Sequence, residues 1–410
     1  MIEPYTIAVP DKRLVAIRGK VADYDWNQLP DAGGWRSGVG KADLRRLVDY
    51  WLHTYDWRAT ERRLNRFPHF TVDIEGERLH FVRVRGDGSG PPLLLLHGWP
   101  GSFLEFERLL GPLAEDGHDV VVPSLPGFAF SNPITGIIGP RRAAELMHGL
   151  MAELFGETRF IVQGGDWGAA IGGWMAHQRP GALLGLHLNM VNVVAEDAKP
   201  TTAEEEELLA RRQTILDRET GYSHEQETRP QTLGVAMADS PVGVAGWMLE
   251  KFGEWADLPR QPDGSPDLWS GFSEDQLLDN IMLYVAPFRG GDRDVDLSGQ
   301  AARTGVDLSG GLAHRGSDRR RRLSRSCVPA AAPLVRGEDV RRRPLDRNGL
   351  GRAFCGVRAA AGDAGRSARL RRDHKPGPAL KLVLIAGAIN RLVGPALALA
   401  AGSLRRGERA

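Results

Sequence analysis

Cysteine is nearly absent from this sequence. Two in 410 residues, Cys327 and Cys355, exclude a disulfide framework and a thiolate metal cluster, so no metal and no cofactor is expected. Net charge is equally thin: a formal +1 gives no overall pull toward a polyanion. Apolar runs of membrane length are also missing. Leu382 to Gly402 comes nearest, but Asn390, Arg391 and Pro395 interrupt it. A span needs roughly 20 apolar residues, and a central Arg is costly there, so no membrane span is expected. Met1 to Tyr5 shows no basic stretch leading into an apolar one, so no secretory leader is expected and the cytoplasm is the expected compartment. What remains, 42% hydrophobic and 26% charged residues, is the composition of a packed protein. The length suits one large domain or two smaller ones.

The aromatics and the charges are unevenly spread. All ten Trp and all six Tyr lie before residue 286, the last being Trp269 and Tyr284. Residues 286–410 hold 24 Arg and 2 Lys against 11 acids, a net +15, which leaves residues 1–285 at −14. Such a break marks two segments of different character.

Before the break the hydrophobic pattern is readable. Leu44, Leu47, Val48 and Trp51 fall at helical spacing, and Trp57 and Leu64 extend the set, so the first 70 residues predict a helical layer. His69–Ile74 and Arg78–Val84 alternate in polarity around Glu75-Gly76, a hairpin signal. Short apolar runs then alternate with helical stretches. Leu93–Leu96, Val120–Val122, Phe160–Val162 and Leu183–Leu188 predict strands, while Phe103–Leu113 and Arg141–Phe155 predict helices. This order is that of a parallel sheet with helices on both faces. Residues 197–285 predict an all-helical insertion, a lid. It has an acidic helix at Glu204–Glu207, loop-like residues 218–233, a helix starting near Asp239-Ser240-Pro241 and another capped by Ser273 and Gln276. After Tyr284 the periodicity dissolves, and a sheet half built by then is expected to stay incomplete.

Two turns carry chemistry. Gly164-Gly165-Asp166-Trp167-Gly168 follows a strand and opens a helix, with the small-x-nucleophile-x-small form of a nucleophile elbow. Small residues let the chain turn sharply and lift one side chain, here Asp166, above the sheet. A helix-capping aspartate is the plain alternative. His97-Gly98-Trp99-Pro100-Gly101 ends another buried strand, where ligands of open sheets bind. Its backbone N–H groups, with that of Trp167, suit an oxyanion. His97 itself reads as structural. No Gly-Lys-Ser/Thr follows, so this is no phosphate loop.

These turns, together with Pro123-Ser124-Leu125-Pro126-Gly127-Phe128, resemble epoxide hydrolases of the microsomal type. Tyr55-Asp56-Trp57-Arg58 and Leu64-Asn65-Arg66-Phe67-Pro68 resemble the N-terminal domain of that family, and the match runs in order through His187-Leu188-Asn189-Met190 and Asp239-Ser240-Pro241-Val242-Gly243. The resemblance implies an α/β-hydrolase fold with an N-terminal helical region over 1–75, the first half of the core over 76–196, a helical lid over 197–285 and an irregular tail over 286–410. It implies Asp166 as the nucleophile that forms an ester with a small-molecule epoxide, Tyr222 as a lid donor to the epoxide oxygen, and backbone N–H groups of Trp99 and Trp167 as the oxyanion hole. Gly98, Pro100, Gly101, Gly164, Gly165 and Gly168 would shape the turns. A histidine paired with an acid would activate the water that cleaves the ester.

The tail departs from the family. No second lid tyrosine follows Tyr284, and no Gly-Gly-His-Phe-Ala segment carries the base. His314 and His374 sit beside Arg or Lys in polar segments and read as surface residues. Read in a frame shifted by one base, residues 351–360 permit Gly-Gly-His-Phe-Ala-Ala-x-Glu-x-Pro, so a frameshift close to residues 284–290 is the hypothesis that would account for the Arg excess and the lost aromatics. A basic nucleic-acid-binding extension is the rival, but Phe288 and Phe354 are its only aromatics, too few for a stacking surface, so no nucleic-acid partner is expected. Three functions follow: epoxide hydrolysis, a relative that is alkylated without turnover, and haloalkane dehalogenation. The oligomeric state is left open.

Overall fold

The computed structural model describes residues 1–29, 33–190 and 200–287. The readings made for 286–410 beyond Pro287, including His314, His374 and the shifted-frame segment, lie outside the described residues.

The chain begins with β1 (Glu3–Tyr5), α1 (Asp11–Ala22), α2 (Lys41–His53) and α3 (Trp57–Leu64), then the hairpin β2 (His69–Ile74) and β3 (Glu77–Val84). Next come β4 (Leu93–Leu96), α4 (Glu107–Glu115), β5 (Val120–Pro123), α5 (Pro140–Phe155), β6 (Phe160–Gly164), α6 (Trp167–Gln178) and β7 (Leu183–Leu188). Helices then follow one another: α7 (Ala203–Glu219), α8 (Gly221–Thr228), α9 (Pro230–Asp239), α10 (Pro241–Trp255), α11 (Leu268–Gly271) and α12 (Glu274–Val285).

The seven described strands form one sheet in the order β1-β2-β3-β5-β4-β6-β7. β1, β2, β3 and β5 pair antiparallel in succession, while β5, β4, β6 and β7 are parallel. The four-leucine run of β4 shows why the sheet must be covered twice. Leu93 and Leu95 point into one apolar cluster, Leu94 and Leu96 into the other, as the two-residue period of a strand requires. The first cluster is closed by α1, α2, α10 and α12, with Leu44, Leu47, Val48 and Trp51 as the buried stripe of α2. The second is closed by α5 and by Ile171 and Met175 of α6.

Two expectations change. The N-terminal layer is not wholly helical, because β1 adds an edge strand to the hairpin, Pro4 facing Phe70. Three residues are too few to show alternation in sequence. Residues 218–233 are not a loop but hold the end of α7, α8 and the start of α9. Pro230 occupies the first turn of α9, where its missing N–H costs nothing. These short helices have weak periodicity and take their order from tertiary packing. The starts of α10 and α12 are as expected: Ser240 Oγ accepts from Gly243 N–H, and Ser273 with Gln276 closes a capping box.

Residues 200–218 belong to a second compact unit and are described alone. They form α7, whose first-turn acids Glu204, Glu205 and Glu206 suit the positive end of a helix, and no α7 residue is buried.

The N-terminal helices are tied to α12 through one carboxylate. Asp279 is 4% exposed and accepts from Tyr55 Oη at 2.8 Å, Thr60 Oγ1 at 2.6 Å and Arg63 Nη2 at 2.6 Å. Among the described residues no helix is long and apolar enough to cross a membrane.

Candidate active site

β4 and β6 are parallel neighbours, with Leu96 opposite Gly164. Their carboxyl ends therefore release two turns side by side. The β4 turn is His97-Gly98-Trp99-Pro100-Gly101, and the β6 turn is Gly165-Asp166 leading into α6. The turns interlock: Gly168 N–H donates to the His97 carbonyl at 3.0 Å. A Cβ on Gly168 would strike the Leu96 carbonyl, and one on Gly98 would strike the Asp166 side chain. The small residues singled out from sequence thus stand where two backbones, or a backbone and a carboxylate, meet. A Cβ on Gly164 would likewise meet the Gly168 carbonyl, and one on Gly165 the Asn189 side chain.

Asp166 has φ +48° and ψ −118°, a backbone state that costs a side-chain-bearing residue about 1–3 kcal/mol. Its carboxylate makes no helix-capping bond. Oδ1 accepts instead from Trp99 N–H at 2.9 Å, and the Trp167 N–H also bonds the carboxylate. Burial pushes its pKa up, and those two N–H groups pull it back toward the charged form. The capping alternative therefore does not describe this residue.

Tyr222, at the start of α8, lies on the same spot. Its ring stacks on Trp99 with centroids 5.0 Å apart, and Trp255 of α10 meets its edge at 5.0 Å. Lys251, only 6% exposed, sets its ammonium 5.0 Å from the Tyr222 ring centre. That ammonium is paired with Glu250 at 2.8 Å and Glu219 at 3.3 Å, and Trp255 Nε1 donates to the same Glu219 oxygen at 3.0 Å. Burial, and next the charge of Asp166, push the Tyr222 phenol up, so it is a neutral donor at neutral pH.

Four residues near the turns were not singled out from sequence. Asn280 Nδ2 donates to the Pro100 carbonyl at 2.6 Å, and Tyr284 Oη donates to the Gly101 carbonyl at 2.6 Å. Glu105 folds its carboxyl back against Gly101 and accepts from Gly98 N–H. Burial, and then Asp166, push it from 4.5 up to about 8. Lys251 is the fourth. The available signals were an Asn and a Tyr four apart in the mostly apolar second half of α12, and charges set among Leu, Phe and Trp at Glu105 and Lys251. His97 is structural, as read: Nε2 accepts from Leu125 N–H at 3.1 Å, and Nδ1 lies 3.1 Å from the Gly98 carbonyl.

The structure thus gathers Asp166, Trp99, Trp167, Gly98 and Tyr222, with Pro100 and Gly101 held from α12. Among the described residues no group of three or more His, Cys, Asp or Glu side chains is placed to hold a metal.

Residues 2–106 match the family described as epoxide hydrolase N terminus, and residues 91–233 match the alpha/beta hydrolase fold. Epoxide hydrolase 1 of Sus scrofa is 33% identical over 69% of this chain and 69% of its own. The juvenile hormone epoxide hydrolase of Bombyx mori is 36% identical over 69% of this chain and 67% of its own. The solved structure of Aspergillus niger epoxide hydrolase superposes with a TM-score of 0.64 at 29% identity, covering 76% of this chain and 79% of that one. The chain spans about two thirds of the length of the curated relatives it matches, 66% for several of them.

Proposed function

The chain belongs to the epoxide hydrolase family, and on that premise we propose that Asp166 opens a small-molecule epoxide by nucleophilic attack. A carboxylate oxygen bonds to a ring carbon, the ring C–O bond breaks, and the released oxygen takes a proton from Tyr222. The products are an ester on Asp166, a hydroxyl on the neighbouring carbon and a Tyr222 phenolate, which takes back the proton that hydrolysis of the ester releases. Ring strain makes the attack feasible, and the ester, unlike an ether, can be cleaved by water. Water added to that ester would return the carboxylate and release a vicinal diol, with the N–H groups of Trp99 and Trp167 holding the oxyanion of that step.

One observation carries this reading: a carboxylate on a positive-φ elbow that makes no capping bond and is held by a neighbouring turn. In it, residues 1–75 brace the core, 76–196 carry the nucleophile and 197–285 supply the donor. The tail supports a second reading, a relative that is alkylated without turnover, since no segment after Val285 matches the family's base.

Intact mass spectrometry after addition of an epoxide tests both. An adduct absent from Asp166→Asn supports the nucleophile, and persistence of that adduct supports the second reading. Steady diol release defeats the second reading, and an adduct that survives Asp166→Asn defeats the first. Halide release from a haloalkane, faster than adduct formation with an epoxide, would favour dehalogenation instead.

A further inference from the structure

We propose that Asn280 and Tyr284 are positioning residues for the turn that holds Asp166, acting on the carboxylate through the backbone of residues 98–101. The inference rests on the reading of Asp166 as nucleophile. The two side chains sit four apart and so share one face of α12. Leu277, Leu278, Ile281, Met282, Leu283 and Val285 of that helix are buried and apolar, and its other buried polar residue, Asp279, is committed to Tyr55, Thr60 and Arg63. A packing role alone would be served by more of the same. Buried polar groups are costly unless bonded, and these two spend their bonds on consecutive carbonyls of one turn, Pro100 and Gly101, each at 2.6 Å.

The placement decides what the contacts do. Trp99 N–H, the donor to Asp166, shares its peptide plane with the Gly98 carbonyl, and that oxygen faces His97 Nδ1 at 3.1 Å. The carbonyls that follow Trp99 are the two held by α12. The donor's own peptide plane is therefore fixed by the core, and the second and third planes after it are fixed by the last described helix, α12. Tyr284 serves as a donor because burial, then the charges of Glu105 and Asp166, keep its phenol protonated. Loosening the turn would weaken the Trp99 bond, which favours the ionised carboxylate, so Asp166 would ionise at a higher pH. The other titratable groups facing this spot are His97, Glu105, Tyr222 and Tyr284: Glu105 is pushed up to about 8 and both phenols are pushed up, while burial pushes the His97 imidazole down to about 4, so of the four His97 alone titrates on the acid side of neutrality.

The test uses the full chain, with Tyr284→Phe and Asn280→Ser as independent variants and styrene oxide as the probe. Hydrogen exchange at the amides of Gly98, Trp99 and Gly101 should rise about tenfold in either variant while β4 and β6 stay as in the parent. The acid limb of Asp166 alkylation against pH should move up by about half a unit or more. A merely structural role would lower the plateau and leave the limb in place. Unchanged exchange in both variants overturns the inference, and so does raised exchange with an unmoved limb. A parent chain that forms no Asp166-dependent adduct overturns the nucleophile reading itself, a result distinct from the other two.

Discussion

The ring of Tyr222 lies flat on the ring of Trp99, with centroids 5.0 Å apart and planes 12° from parallel. The backbone N–H of that same Trp99 holds Asp166 at 2.9 Å. One residue thus sets both the proposed proton donor and the proposed nucleophile. A shift of the indole moves both at once.

Tyr222→Phe keeps the stack and removes the donor. Adduct formation on Asp166 should slow by about 10²-fold, the size of one lost catalytic donor. Lys251→Met should slow it less, by about threefold to tenfold, because the ring loses a cation–π contact rather than its hydroxyl. Lys251→Arg should recover part of that loss. Time-resolved intact mass spectrometry measures all three, and an unaffected rate in Tyr222→Phe would remove the phenol from the mechanism.

Gly98→Ala places a methyl group against the Asp166 carboxylate. Either the turn or the carboxylate must shift, and a displacement near 1 Å costs about 10²-fold in rate. The measurement is adduct yield at a fixed time, with near-ultraviolet circular dichroism as the check on folding. A full yield from the folded variant would show that the turn has slack.

Asp279→Ala removes a buried carboxylate with three partners, among them the Arg63 guanidinium at 2.6 Å. Leaving those partners unsatisfied should cost about 3–5 kcal/mol. Urea unfolding should show a lower midpoint with an unchanged slope. A loss under about 1 kcal/mol would mean that water replaces the carboxylate.

Glu105 gives a pH signature. Its pKa rises from 4.5 unfolded to about 8 folded, so between those values the folded chain binds the extra proton. Stability therefore falls as pH rises from 4.5 through about 8. Glu105→Gln abolishes this contribution and keeps an acceptor for Gly98 N–H. Relative to the parent, the variant should gain on the order of 1–3 kcal/mol between pH 6 and pH 9. Thermal melts across that range decide it, and parallel curves would place Glu105 in water.

Most of the fold was legible because its signals are local. The four leucines of β4, the alternation of β2 and β3, and the capping box before α12 each state their element within a few residues. β1 and α8 were not legible, because three residues pairing at an edge and two short turns of helix depend on what they pack against. The elbow was legible because a sharp strand-to-helix turn needs small residues at set positions. Its support was not, because Asn280 and Tyr284 lie about 180 residues from the carbonyls they hold.

The sequence by itself determined the class of the sheet, the identity of the elbow residue, and the break in composition after Tyr284, since period, residue size and composition act at short range. Only the tertiary structure decided that Asp166 is held by Trp99 rather than capping its helix, that Tyr222 lies on Trp99, and that α12 grips the turn. Those contacts form because β4 and β6 are parallel neighbours and α12 and Tyr222 pack against the turn at the carboxyl end of β4. No local pattern encodes that closeness, since it depends on burying both faces of the sheet.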